Sequence, residues 1–285
     1  MRLNMFSAES PIGVIDSGVG GLTSVKEIIN LLPGEDIIYC GDNMNAPYGN
    51  RSADDIISLT KKMLTFLQSR NVKLVAVACN TISSTLESEE YSGYAKSFPF
   101  PILSIIEPAV EDVIRQQYKN VGIIATEFTI KTGCHKELIK KLNSTINVFG
   151  EPSKNLAMLI EEGNLNAPAI LNDIKKHVNH LISLHPVNEI ILGCTHYPIV
   201  QNFFEAVAPD IKFINPAHDQ AISIKNHLGQ LNLLNSSNIG TLQINTSGSM
   251  EIYKTVLGEL SITKPHTFSI RQFEIYPVHR KIPSF

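Results

Sequence analysis

Short apolar runs alternate with stretches of helical periodicity along most of the chain. The apolar runs contain few polar side chains, which is typical of strands that are buried on both faces in parallel sheets. Strands that alternate with helices predict βαβ units and a doubly wound sheet. We therefore predict an α/β fold with two similar lobes of this kind. The predicted strands are residues 11–16, 36–40, 73–79, 102–106, 121–126, 145–149, 189–194, 211–215 and 241–248.

The segments between these strands have the apolar spacing of helices. After Ser52, a typical N-cap, four apolar residues predict a helix to about residue 69 with one buried face. These four are Ile56, Leu59, Met63 and Leu67. Further helices are predicted for 20–32, after Pro108, from about 128, twice between 153 and 184, after Pro198 and after 215. Aromatic residues, Gly and Pro predict a loop at 91–101, and the aperiodic residues 273–285 predict a tail.

The composition is that of a globular protein, because 43% of the 285 residues are hydrophobic and 18% are charged. A net charge of −3 argues against a nucleic-acid partner. No apolar run approaches the length of a membrane span, and the first residues lack the apolar stretch of a signal peptide. We therefore expect no membrane partner and a cytoplasmic location.

The four cysteines, Cys40, Cys79, Cys134 and Cys194, are too few for a disulfide framework. They form no CxxC pair, so a structural zinc site has little support. An alternative is that Cys194 and His196 bind a metal, although the i, i+2 spacing is a weak indication. Cys40 and Cys134 lack neighbours such as Asp16 and His196, and Cys134 is predicted to lie on a helix in a structural role.

Four unusual clusters follow predicted strands, where open α/β sheets bind their ligands. They are 16–21 (DSGVGG), 46–52 (APYGNRS), 79–81 (CNT) and 194–198 (CTHYP). The first is not a dinucleotide fingerprint, because Thr23 stands where G-x-G-x-x-G needs its last glycine. It is either a tight turn or a set of backbone N–H groups that bind an anion. The second is a turn by composition.

Cys79 and Cys194 share a setting, since each ends an apolar strand and precedes hydrogen-bonding residues. A single buried cysteine is most often an inert small hydrophobe. Two such cysteines at predicted helix N-termini, where the helix dipole lowers a thiol pKa, favour acid–base chemistry. Asp16, which also ends a predicted strand, and His196 could exchange protons with them. The pattern indicates proton transfer at carbon, with one thiol on each face of a substrate.

Four motifs, IGVIDSGVGGLT, GDNMNAPYGNRS, VACNT and LGCTHYP, resemble those of glutamate racemases, within the aspartate/glutamate racemase superfamily. They occur in the family's order and spacing, and the resemblance covers roughly residues 11 to 260. It implies two α/β lobes with the active site in the cleft between them. It assigns residues 1–104 plus 217–285 to the first lobe and 105–216 to the second.

The resemblance also implies residue roles. Cys79 and Cys194 resemble the two catalytic acid/bases, and Asp16 and His196 resemble the groups that assist them. Glu161 matches a glutamate that the family places near the second thiol, and Glu162 is the adjacent alternative. Substrate-binding positions are matched by Asp16, Ser17, Tyr48, Gly49, Asn80, Thr81, Thr195 and His196.

The family needs neither pyridoxal phosphate nor a metal. It supplies D-glutamate for peptidoglycan in the bacterial cytoplasm, often as a homodimer. The resemblance therefore implies glutamate as the substrate of this chain and a homodimer as its assembly. Two positions depart from the family pattern, because Glu151 stands where a cysteine is usual and Asn215 where an acidic residue is common.

Three other functions compete with this one. A related racemase that acts on aspartate or another amino acid would carry the same cysteines. A cysteine hydrolase would use Cys194 as nucleophile and His196 as base, but it would leave Cys79 unexplained. A catalytically silent amino-acid-binding module of the same fold would keep both cysteines and turn nothing over.

Overall fold

A computed structural model describes residues 6–91, 93–262 and 267–273. Strands and helices alternate through most of this part of the chain. The strands are β1 (Ile12–Asp16), β2 (Ile37–Gly41), β3 (Leu74–Val77), β4 (Ile102–Ser104), β5 (Asn120–Thr126), β6 (Asn147–Ser153), β7 (Glu189–Gly193), β8 (Lys212–Ile214), β9 (Thr241–Thr246) and β10 (Thr267–Gln272).

The α-helices are α1 (Leu22–Leu31), α2 (Ala53–Ser69), α3 (Asn80–Leu86), α4 (Ile106–Arg115), α5 (Glu127–Thr132), α6 (Cys134–Leu142), α7 (Leu156–Glu161), α8 (Pro168–Leu184), α9 (Gln201–Val207), α10 (Ala217–Gln230) and α11 (Glu251–Glu259). Short 3-10 helices span Tyr48–Asn50, Ala95–Ser97 and Tyr197–Val200. The buried face predicted for α2 is present, and the Ser52 side chain accepts a hydrogen bond from the Asp55 N–H as its N-cap.

The described strands form two all-parallel sheets, which confirms the predicted α/β fold class. The larger sheet has the strand order β10-β9-β2-β1-β3-β4, and the smaller has the order β6-β5-β7-β8. The strand order reverses between β1 and β3 in the larger sheet and between β5 and β7 in the smaller. In open α/β sheets, ligands bind at the carboxyl ends of strands at such switch points.

The two sheets pack through a shared core. All of β1 is buried, and each fully buried aliphatic side chain contributes roughly 1.5–3 kcal/mol. One hydrophobic cluster contains residues of both sheets, among them Val14 of β1, Tyr39 of β2 and Leu192 of β7. The carboxyl ends of the two sheets are therefore held close together.

Several predicted boundaries differ from the structure. The strand predicted at 145–149 continues to Ser153, because β6 is an edge strand and an edge tolerates Pro152. The next helix consequently begins at Leu156 and not at 153. The helix predicted from about 128 is split into α5 and α6 at Gly133, whose φ of 71° ends the first helix.

Two elements were not predicted. They are α11 and β10, and β10 pairs with β9 to extend the larger sheet. Four residues of its six-residue sequence, TFSIRQ, are polar, as suits an edge strand, and so it lacks the apolar run that marks the other strands. Apart from Phe273, the predicted tail at 273–285 lies outside the described residues.

Candidate active site

One cavity lies where the carboxyl ends of the two sheets face each other. Cys79 and Thr81 follow β3 of the larger sheet, while Cys194 and His196 follow β7 of the smaller. The full lining is Ser17, Pro47, Tyr48, Gly49, Cys79, Asn80, Thr81, Thr126, Ala157, Cys194, Thr195 and His196. The cavity volume that the centre of a water-sized sphere can occupy is about 10 Å³. This is room for about one water, so the cavity is closed.

The first thiol is surrounded by the turn that follows β1. Cys79 is the N-cap of α3, and its Sγ donates to Ser17 Oγ at 3.6 Å. Burial, followed by the nearby carboxyl of Asp16, raises the pKa of Cys79 to about 12, although the backbone hydrogen bond of Ile82 and the hydrogen bond with Ser17 oppose the rise. The expectation that a helix N-terminus lowers this pKa is therefore wrong for Cys79. Desolvation in the closed cavity outweighs the dipole of a single short helix.

Asp16 lies behind the cavity wall and joins the two lobes. One carboxyl oxygen, Oδ1, accepts from the Gly18 N–H at 3.0 Å. The other, Oδ2, accepts from Thr195 Oγ1 at 3.1 Å, and Thr195 follows the opposite sheet. Burial raises the pKa of Asp16 to about 6, and the charge of His196 limits the rise. Asp16 thus titrates in the range where proton exchange near neutral pH is efficient.

The second thiol faces a charged imidazole. Cys194 Sγ lies 3.7 Å from Nδ1 of His196, whose Nε2 lies 2.5 Å from Glu161 Oε2. Burial alone would lower the pKa of His196, but the hydrogen bonds to Cys194 and Glu161 and their charges raise it well above its ordinary value. An imidazolium has a proton on both ring nitrogens, so it can donate to the sulfur and to the carboxylate at once.

The structure distinguishes the two adjacent glutamates. It is Glu161, at the end of α7, that contacts His196, whereas Glu162 is the C-cap of this helix. Glu161 Oε2 also accepts from the Val19 N–H of the first lobe at 3.1 Å. A Cβ on Gly18 would lie 2.3 Å from this oxygen, so the glycine allows the carboxylate to approach.

Every residue matched to a substrate-binding position lines the cavity except Asp16. Asn80 is buried, and neither its Oδ1 nor its Nδ2 has a hydrogen-bond partner among the described residues. A buried amide without a partner is unusual, and this one lines the cavity, so it is available to a ligand. Tyr48 is held by its hydroxyl, which donates to Asp42 Oδ2 at 2.6 Å. A Cβ on Gly49 would lie 2.7 Å from Thr126 Cβ, so Gly49 is closely packed across the lobes.

Sequence reasoning missed two threonines of the second lobe. Thr126 ends β5, and its Oγ1 lies 3.1 Å from Oγ1 of Thr81 in the first lobe. Thr129 Oγ1 lies 3.3 Å from the same Thr81 atom and accepts from Thr126. The end of the predicted strand 121–126 was the available signal for Thr126, because it lies at a strand end like the four clusters that were chosen.

The other two cysteines do not line the cavity. Cys40 is buried within β2, and the Cys134 thiol donates to Glu87 Oε2 at 2.9 Å. The two departures from the family pattern also lie elsewhere. Glu151 bonds Nδ1 of His177 and of His180, at 2.6 and 2.7 Å, and Asn215 accepts from the Ala217 N–H at the start of α10.

Among the residues that the structure describes, no group of three or more His, Cys, Asp or Glu side chains is arranged to hold a metal ion. Within residues 6–91, 93–262 and 267–273, no helix combines the length and the apolar character needed to cross a membrane.

Comparisons with known proteins agree on one family. Residues 12–218 match the model of the Asp/Glu/hydantoin racemases. The chain is 32% identical over 250 residues to glutamate racemase 1 of Caldanaerobacter subterraneus subsp. tengcongensis, which covers 87% of this chain and 91% of that protein. A glutamate racemase isoform from Bacillus anthracis superposes with a TM-score of 0.85 at 27% identity, over 94% of this chain and 98% of that one.

The glutamate racemase of Francisella tularensis, solved in complex with D-glutamate, superposes with a TM-score of 0.82 at 29% identity. It too is covered over 98% of its length, and it covers 94% of this chain. The likeness therefore extends over both lobes and the cavity between them. This chain belongs to the Asp/Glu/hydantoin racemase family.

Proposed function

We propose that the protein is a glutamate racemase, which interconverts L- and D-glutamate by a two-thiol mechanism without a cofactor. The observation that carries this proposal is that Cys79 and Cys194 line one cavity from two different sheets. Racemisation at carbon needs an acid/base on each face of the substrate, and two opposed thiols supply both. The relatives that share most of the chain's length are named glutamate racemases, which supports glutamate as the substrate.

The proton balance of the proposed reaction closes without an oxidant or a second reactant. One cysteine, as thiolate, takes the Cα proton, so an S–H bond forms while the C–H bond breaks and its electron pair stays on the substrate. The other cysteine, as thiol, then delivers a proton to the opposite face of Cα and becomes the thiolate. The product is the other enantiomer, and the two cysteines have exchanged protonation states.

The remaining residues divide between the two thiols and the substrate. Asp16 assists on the side of Cys79, and His196, held by Glu161, assists on the side of Cys194. The amide of Asn80 and the hydroxyls of Ser17, Thr81 and Thr195 suit the charged groups of an amino acid, while Tyr48 and Gly49 shape the wall. This division is supported by the unpartnered Asn80 amide in the cavity lining.

The test is incubation of the purified protein with L-glutamate alone, followed by optical rotation. We expect the rotation to decay to zero, at the same rate with and without a chelator. Decay with L-aspartate but not L-glutamate would move the activity to the related racemases. A trapped acyl-enzyme would support the hydrolase, and bound glutamate without turnover would support the silent binding module.

We also propose the biological setting that the family resemblance implies. The product, D-glutamate, would supply peptidoglycan synthesis in the cytoplasm, and the enzyme would act as a homodimer. Depletion of the protein should then be rescued by external D-glutamate, and sedimentation should give twice the chain mass.

We further propose lobe boundaries at 104/105 and 216/217. Limited proteolysis near these positions would support them, and cleavage confined to other sites would contradict them.

A further inference from the structure

The peptide unit that joins Gly18 to Val19 is hydrogen-bonded at both ends. Its carbonyl, that of Gly18, accepts from Tyr39 Oη at 2.6 Å and from Tyr253 Oη at 3.1 Å. Its N–H, that of Val19, donates to Glu161 Oε2 at 3.1 Å. One peptide of the first lobe therefore connects two tyrosine hydroxyls to the carboxylate that holds His196.

The packing of the fold fixes the positions of both hydroxyls. Tyr39 lies in β2 and Tyr253 in α11, both are completely buried, and their rings meet edge to face at 6.0 Å. Burial, followed for Tyr39 by the charge of Asp16 and for Tyr253 by that of Glu161, holds the pKa of each phenol well above its ordinary value, so both remain donors. Gly41 leaves the necessary space, since a Cβ there would lie 2.0 Å from Tyr253 Oη.

Hydrogen bonds in a chain polarise one another when they are buried. Two donors on the Gly18 carbonyl make the Val19 N–H on the same peptide a better donor to Glu161. Glu161 in turn contacts His196 Nε2 at 2.5 Å, and His196 Nδ1 faces Cys194 Sγ. Orientation of the imidazole thus depends on groups that lie in the other lobe.

We propose that Tyr39 and Tyr253 are positioning residues for the second acid/base, acting through the Gly18–Val19 peptide and Glu161 on His196 and Cys194. The proposal rests on the racemase function proposed above. Neither tyrosine lines the cavity, so neither is expected to contact the substrate. Their removal should slow turnover more than it weakens substrate binding.

The experiment compares Tyr39→Phe and Tyr253→Phe, which keep the rings and remove only the hydroxyls. The control is Tyr94→Phe, because the Tyr94 hydroxyl is buried without a hydrogen-bond partner among the described residues. We expect each test variant to lose about tenfold in kcat in both directions, the scale of one buried hydrogen bond, with KM changed less than twofold. The control should keep the wild-type kcat. Equal kcat in test and control variants, or a loss confined to KM, would overturn the proposal.

A second comparison separates this route from a disturbance of Ser17 and Cys79, which lie next to the same peptide. Each tyrosine change is combined with Glu161→Gln and, separately, with Ser17→Ala. If the tyrosines act through Glu161, their effect should shrink in the first background and persist in the second. Additive losses with Glu161→Gln would overturn the proposal. An inactive wild type in the same assay would instead contradict the racemase function itself.

Discussion

The two halves of the cavity have similar places in the fold but different electrostatics. Each thiol follows the second strand of a switch point, with Cys79 after β3 and Cys194 after β7. Cys79 has a neutral hydroxyl as its hydrogen-bond partner and a carboxyl nearby, and its pKa rises to about 12. Cys194 faces His196, whose pKa is raised well above its ordinary value. Similar topology therefore does not imply the same electrostatic environment for the two thiols.

The halves also depend on each other. The carboxyl of the first lobe, Asp16, accepts from Thr195 of the second, and the carboxylate of the second, Glu161, accepts from the Val19 N–H of the first. Each of these two carboxyl groups thus accepts one hydrogen bond from the opposite lobe. The positions of both carboxyl groups therefore depend on how the two lobes pack against each other.

The largest effect should come from removing either thiol. Cys79→Ala and Cys194→Ala should each lower racemisation by at least about a thousandfold, since a general acid or base alone contributes roughly 10²–10⁴-fold. Serine variants should be nearly as inactive, because a hydroxyl is a weak base. Cys134→Ala is the control and should keep most activity, because its thiol bonds Glu87 and neither residue lines the cavity. Substantial activity with either alanine variant in a polarimetric assay, from protein with wild-type circular dichroism, would contradict the mechanism.

Racemisation in D2O tests whether the two halves act on opposite faces. Between turnovers the delivering thiol exchanges with solvent, so early product should carry deuterium at Cα while remaining substrate stays largely protiated. We expect this from either enantiomer, measured by mass spectrometry at low conversion. Protiated product from both directions would mean that a single base carries the proton across, and one of Cys79 and Cys194 would lose its assigned role.

The strand-end rule, that open α/β sheets bind ligands at the carboxyl ends of their strands, located both halves of the cavity from the sequence. It did so because Cys79 and Cys194 each end a continuous apolar run. The environment of each thiol was not predictable in the same way. The pKa of Cys79 depends on burial by the other lobe, and no local pattern reports that. The choice between Glu161 and Glu162 depends on the phase of α7, which starts at Leu156 only because β6 extends to Ser153.

Contacts between residues that are far apart in the sequence were the hardest to predict. Tyr253 lies on α11, a helix that the periodicity did not indicate, and its hydroxyl reaches Gly18 across 235 positions of sequence. Thr126 was within reach of the strand-end rule, but its partner Thr81 lies in the other lobe. Long-range hydrogen bonds of this kind are set by how the lobes pack, and hydrophobic pattern carries little information about them.

Two substitutions with smaller expected losses of kcat compare the electrostatics of the two halves of the cavity. His196→Gln removes the charged partner of Cys194 and should lower kcat roughly a hundredfold, the low end for acid–base groups. Ser17→Ala removes one neutral hydrogen bond to Cys79 and should lower kcat about tenfold. Ser24→Ala is the control for the serine change, because Ser24 is buried and its hydroxyl has no partner among the described residues. If the Ser17 loss equals or exceeds the His196 loss, the two halves are more alike than their electrostatics indicate.

The smallest expected effect is on the free energy of unfolding, and it is a gain where the earlier predictions are losses. Asp16 has a pKa of about 6 in the folded protein against 3.8 unfolded, so the folded state binds its proton more tightly. Stability therefore falls as pH rises from about 4 to 6, and the loss is complete above that range. Asp16→Asn removes a penalty of at most about 3 kcal/mol, offset by weaker hydrogen bonds from Gly18 and Thr195, for a net gain of about 1 kcal/mol at pH 7 and none at pH 4. Thermal unfolding at both pH values measures this gain, and activity should fall.

Asp173→Asn is the matched contrast. Burial would raise the pKa of Asp173, but hydrogen bonds from His177 and Ser153 lower it. The Asp173→Asn variant should have a lower free energy of unfolding than the wild type at pH 7, and the difference should be smaller near pH 3. If both variants instead change stability with pH in the same direction, burial is not what sets the pKa of Asp16.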